Sequence, residues 1–274
     1  MTAGGDTDSS EGMPSDSRPD IHLPPSVLRM YRRFSLYNSP YPAHDAGCAI
    51  DLYPAGNEGR SPVAGEILET RTVRAPPKPY AADEEFLLLM DVDVDRTGLR
   101  VDERADEGLV ARILHVRPSV APGDTIDVGD PLGPMIRSGF FAPWVGNHVH
   151  LGFRRPEQNL RRAGGSLPLD VAVEVDPLGW DGIGTVTETG ATYALLDAPA
   201  HPEPGEHFVG IAGRVGPGRD DETDAKDAVL DGGFTHYAGG GLPGASVTPG
   251  VGGAESHPVG FLGHTVGEAV GRNV

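Results

Sequence analysis

His148-Val149-His150-Leu151-Gly152-Phe153 is the stretch whose reading decides the fold. Residues two apart on a β-strand point to the same face, so the two imidazoles project together. One can ligate a metal while the other handles protons. Outward from it, Cys48 to Tyr53, Gly65 to Thr70, Phe86 to Met90 and Val110 to Val116 have the same short, strand-like character. Each is bounded by Pro, Gly or Asp, as strands of an all-β domain are. Beyond Pro168 the pattern resumes at Val171 to Val175, Gly184 to Thr189, Tyr193 to Leu196 and His207 to Ile211. With 39 Gly and 26 Pro among 274 residues, a helical bundle or coiled coil is excluded.

The same punctuation divides the chain. Residues 1–20 are Gly, Ser, Asp and Thr with almost nothing apolar, and read as a disordered acidic tail. A β-domain is expected over 21–158, with Ser26 to Tyr37 holding a helical turn or a strand. Arg71 to Ala82, rich in Pro, and Asp91 to Gly108, rich in charge, read as surface loops. Asp91, Asp93 and Asp95 alternate, which suggests a solvated acidic strand edge. Asn159 to Pro168 breaks the pattern, and 169–274 reads as a smaller β-rich, Gly-rich domain of unknown role. Within it, Arg219 to Asp227 reads as an acidic loop, and Gly239 to Gly241 and Gly250 to Gly253 as a loose surface return.

Charge narrows the function classes. The chain carries 22 basic against 40 acidic residues, a net −18, and only Lys78 and Lys226 among the basic ones are lysine. Such a field repels phosphate backbones and acidic lipid surfaces, so nucleic acid and membrane are not expected partners. It fits a halophilic protein whose self-repulsion is screened by strong salt. The single cysteine, Cys48, excludes a disulfide framework and a multi-cysteine zinc site. No apolar run approaches the roughly 20 residues of a membrane helix, and the start lacks the features of a signal peptide, so the reading is cytoplasmic.

Three residues supply context for the histidine pair. Asp51 lies on the apolar strand Ala49 to Tyr53, where an unpaired carboxylate is costly to bury. His44 sits just upstream, and His115 lies within Ile113-Leu114-His115-Val116. Imidazoles and a carboxylate on strands of one domain match a hydrolytic zinc site with one position open to water. His201, His207, His236, His257 and His264 lie in Pro- or Gly-rich stretches and read as exposed residues without a role.

The order of these elements resembles the LytM/lysostaphin-type M23 metallopeptidase domain, the duplicated hybrid motif fold, over about Tyr41 to Arg155. Gly47-Cys48-Ala49-Ile50-Asp51-Leu52 stands in the place of its His-x-x-x-Asp element. Pro62-Val63-Ala64-Gly65-Glu66-Ile67 matches its Pro-x-x-Gly-x-Val turn, and Ile113-Leu114-His115-Val116 resembles its Tyr-x-His-Leu strand. Val120 to Gly133 follows its Gly-punctuated run, Ser138-Gly139 its Ser/Thr-Gly, and His148 to Phe153 its His-Leu-His-Phe strand.

The resemblance implies a compact β-sandwich or barrel holding Zn2+ on Asp51 and His150, with His115 and His148 activating water and steadying the oxyanion. The family spacing would put the third ligand at Gly47; His44, seven residues before Asp51, is the nearest histidine, and a bulge at Ala46-Gly47 would restore its orientation. The implied activity is metal-assisted hydrolysis of an amide in a peptide or peptide-containing polymer. The alternative is an M23-like binding or regulatory module without catalysis, for which the departure in spacing speaks.

Overall fold

A computed structural model describes residues 21–101, 108–191, 193–216, 225–233, 239–243 and 256–274. The tail 1–20, parts of the loops read at 91–108 and 219–227, His236 and Gly250 to Gly253 lie outside the described residues. Strand accounts for 44% of the chain and helix for 5%, which makes the protein all-β.

Seven antiparallel strands form a curled half-barrel: β1 (Arg33–Ser35), β2 (Ala49–Tyr53), β3 (Gly65–Val73), β4 (Glu85–Val92), β5 (Val110–Leu114), β6 (Thr125–Ile126) and β7 (Val149–Arg154). Their order across the sheet is β1-β2-β7-β5-β4-β3-β6. Period-two alternation sorts the faces. Ile50 and Leu52, Leu88 and Met90, Ala111 and Ile113, and Val149, Leu151 and Phe153 enter one large core with Leu23, Leu28 and Leu36. The opposite face carries Asp51, Leu87, Arg112, Leu114 and His150. Pairing across the sheet sets Asp51 directly beside His150, and His150 beside Leu114. Central β7 and β4 are buried on nearly their whole length, so their sequences are more apolar than those of edge strands.

Several local readings change. Ser26 to Tyr37 holds both alternatives, a helical turn at Pro25–Leu28 and then β1. The Asp91 to Asp95 alternation is not a strand edge: β4 ends at Val92, and Asp93 caps a one-turn helix, Val94–Thr97, by accepting from the Arg96 N–H. The Pro-rich stretch after β3 packs against the 138–141 loop. Tyr80 Oη donates to Phe141 O at 3.0 Å, and a Cβ on Gly139 would sit 1.9 Å from Pro76 O.

Leu169–Val171 pairs in parallel with Ile21–Leu23, which ties it to the first unit. Val171 to Val175 is not one strand, for a second strand opens only at Val175–Leu178. That strand, with Phe208–Val215, Lys226–Val229, Ser256–Phe261 and His264–Val270, makes a second sheet over a small core of Val215, Leu242, Val259 and Ala269. Gly240–Gly241, read as loose, pairs with Asp231–Gly232.

Candidate metal centre

His150 reaches the centre from β7 and Asp51 from β2, by the register already given. His44 arrives differently from the expected bulge. Pro42 at the first turn and Tyr41 at its N-cap start a one-turn helix, Pro42–Asp45, and Gly47 at φ 63° turns the chain out of it. A Cβ at Gly47 would lie 2.5 Å from Tyr37 Oη, so the turn also demands glycine for space. Strand parity therefore never governed His44, whose ring swings over the sheet from a helix.

The donors converge closely. His44 Nε2 lies 3.2 Å from Asp51 Oδ1 and 3.0 Å from His150 Nδ1, and His150 Nδ1 lies 3.0 Å from Asp51 Oδ1. His44 Nδ1 faces Leu36 O at 2.7 Å. A carbonyl only accepts, so Nδ1 carries the proton there and Nε2 is left as the metal-facing atom. Asn38 Nδ2 donates to Asp51 Oδ2 at 2.7 Å and fixes that carboxylate. Nitrogen and oxygen donors held tetrahedrally around zinc at ordinary bond lengths lie about 3.3 Å apart. The observed triangle is close to that spacing. The donor set therefore fits a divalent metal, and His44, Asp51 and His150 form the candidate group, all three ligand atoms within 4.8 Å of one another.

The electrostatics favour the ligand-ready forms of Asp51 and His150 and the protonated form of His44, whose Nε2 must give up its proton to bind a metal. Burial pushes Asp51 up, but His148 and His44 outweigh it and hold the carboxyl well below its usual range. Burial lowers His150 to about 3 against its bond to Asp51, and lowers His148 to about 4 against the same carboxylate. Both rings are neutral at pH 7. Burial also works to lower His44, but Asp51 and Leu36 O reverse the balance and raise it.

His148 and His115 stand beside the donors, their ring centroids 5.0 Å apart. His148 Nδ1 donates to Gly146 O at 2.9 Å, and Nε2 lies 3.2 Å from Asp51 Oδ2. β5 ends at Leu114, so His115 is not the strand residue the sequence suggests. Its φ of 70° bends the chain into the left-handed region, which costs a non-glycine residue about 1–2 kcal/mol. Glu85, the first residue of β4, holds it there. Glu85 Oε1 accepts from the His115 N–H at 3.1 Å, and Oε2 from its Nδ1 at 2.9 Å. Ser138 Oγ donates to the same Oε2. Sequence reading missed Glu85; a glutamate opening the apolar run Phe86 to Met90 was the available signal, as Asp51 was on β2.

These rings line one end of a pocket of about 420 Å³. Phe140 and Phe141 follow the Ser138-Gly139 turn, and Tyr41 meets Phe140 edge to face at 5.7 Å across its rim. Of the other histidines among the described residues, His207 lies 3.4 Å from Asp176 at the surface of the second sheet, away from this pocket.

Fold and site together define an all-β protein in which His44, Asp51 and His150 form a group that could hold a metal ion. The model of the domain of unknown function DUF8155, N-terminal domain, matches residues 22–171, and that of its C-terminal domain matches 176–274. The chain belongs to the DUF8155 family. No curated protein and no solved structure matches it.

Proposed function

We propose that the chain is a zinc-dependent hydrolase of the M23 type that cleaves a peptide amide bond. The observation that carries this reading is the convergence of His44, Asp51 and His150 next to two further histidines at one end of the pocket. His44 Nε2, Asp51 Oδ1 and His150 Nδ1 would hold the ion. The chemistry zinc supplies there is polarisation of the scissile carbonyl and a lowered pKa for water.

The chain's own groups do the rest. His148 is neutral because of its burial, and with Nδ1 tied to Gly146 O it keeps Nε2 ready to take a proton from the attacking water. His115, held through Nδ1 by Glu85, turns Nε2 toward the pocket, where it can donate to the developing oxyanion once protonated or relay the proton to the leaving nitrogen. Phe141 packs its ring against His115 and His148 at this end of the pocket. The departure in family spacing at His44 favoured a module without catalysis. The His44 ring 3.2 Å from Asp51 supports a complete ligand set despite that departure.

The test separates binding from chemistry. With zinc loaded and a set of N-acyl peptides as substrates, His148→Ala should keep its metal and lose turnover by a hundredfold or more. His150→Ala should lose the metal itself. Turnover unchanged in His148→Ala would contradict the assignment.

A further inference from the structure

The pocket extends past the donors along the site face of the sheet. Leu114 pairs with His150 and Arg112 with Gly152, so Arg112 is two residues, or about 7 Å, further along the strands. Val73, Leu87 and Leu114 also line the pocket.

Two arginines on this face are nearly buried, and they differ in what they hold. Arg154, 1% exposed, directs its guanidinium at the carbonyls of Asn159, Arg162 and Gly164 and so pins the loop after β7. Arg112, 5% exposed, gives only its Nε, to Leu160 O at 2.7 Å. Among the described residues no carboxylate lies within ion-pair distance of it. The carboxylate on the same face of β3, Glu69, is engaged by Arg161 at 2.7 Å and Arg71 at 3.7 Å. The charge that acts on Arg112 is Arg154, a second cation. Burial and then that neighbour lower its pKa to about 10, which leaves it fully charged at pH 7. A buried cation lining an apolar pocket without a counter-ion is costly, and an anionic ligand group relieves that cost.

Resting on the hydrolase reading above, we propose that Arg112 anchors a free carboxylate of the substrate, so that the pocket takes a peptide or N-acyl amino acid from its C-terminal end. A guanidinium receives a carboxylate through two parallel N–H···O bonds, which fits a terminal carboxylate better than an internal amide. The separation of Arg112 from the donors corresponds to one or two residues of extended chain, so the bond cut lies within two residues of the C-terminus. Apolar side chains suit the pocket walls of Leu87, Leu114 and Phe141. In the reaction water adds to the amide carbon, the C–N bond breaks, and the water's protons pass to the leaving nitrogen. The products are a carboxylate and the freed amino acid or dipeptide.

The test uses the full chain carrying His148→Ala, loaded with zinc so that ligands bind without turnover. N-acetyl-L-phenylalanine and N-acetyl-L-leucine are titrated against their C-terminal amides. The acids should bind roughly ten- to a hundredfold more tightly, the worth of one or two charged hydrogen bonds. Adding Arg112→Gln should close that gap, and Arg112→Lys should restore part of it, with zinc content unchanged in both. Equal binding of acid and amide with zinc in place, no binding of either, or a gap that survives Arg112→Gln overturns the proposal and leaves the metal reading standing. If the protein holds no zinc yet keeps an Arg112-dependent gap, the hydrolase reading fails and the carboxylate site remains.

Discussion

Asp231→Ala should perturb the candidate metal centre from the second sheet's side of the chain, nearly two hundred residues away in sequence. Asp231 accepts from Ser35 Oγ at 2.5 Å, Leu36 N at 2.6 Å and Tyr37 N at 3.0 Å. It thereby clamps the segment whose Leu36 carbonyl orients the His44 ring. Alanine leaves two backbone N–H groups without an acceptor in a partly buried place, at about 1–3 kcal/mol each, or about 2–6 kcal/mol together. The melting temperature should fall by roughly 2–4 °C for each kcal/mol. Loss of a group that orients a ligand typically weakens metal binding about 10- to 100-fold, and that is the expected loss of zinc affinity here. Competition against a chromophoric chelator reads the affinity, and thermal melts with and without zinc read the stability. Asp231→Asn keeps one acceptor oxygen and should fall between. Zinc affinity within about twofold of the unaltered protein, alongside a lowered melting temperature, would refute the link from Asp231 to His44.

Two further outcomes follow from the same geometry. Burial raises the pKa of Glu85, but bonds from His115 and Ser138 outweigh it and leave the group below its ordinary 4.5. Its ion therefore contributes stability that is present above pH 4.5 and lost as the pH falls through the lower folded value. Glu85→Gln should cost about 1–3 kcal/mol at pH 7, and the gap between the two proteins should narrow in acid; melts showing the same gap at both pH values count against a charged Glu85. Chelation should destabilise the fold, and zinc restored to about a hundred times its Kd should return about 2.7 kcal/mol. A melting temperature indifferent to zinc contradicts a site built in the native state.

Much of the fold is legible because strand periodicity is local. His148 and His150 declare a shared direction, and Asp51 in an apolar strand declares a partner. The register that sets Asp51 beside His150 is a long-range pairing, which local periodicity cannot give. His44 could be named but not placed, because counting parity along a strand fails once Pro42 starts a helical turn and Gly47 ends it. His115 also left its expected strand, since only Glu85, thirty residues earlier, holds its backbone in the left-handed region. Asp231 and Arg112 were not legible at all. The first acts across a domain boundary, and the second reads as an ordinary strand residue until its missing counter-ion is seen.

Zinc content per chain, measured on protein purified in strong salt without chelator beside an Asp51→Ala control, tests the metal centre most directly. About one tightly held zinc, absent from the control, is the expected result. No bound metal at neutral pH after supplementation, or equal metal in both proteins, would contradict the assignment of His44, Asp51 and His150 as its ligands.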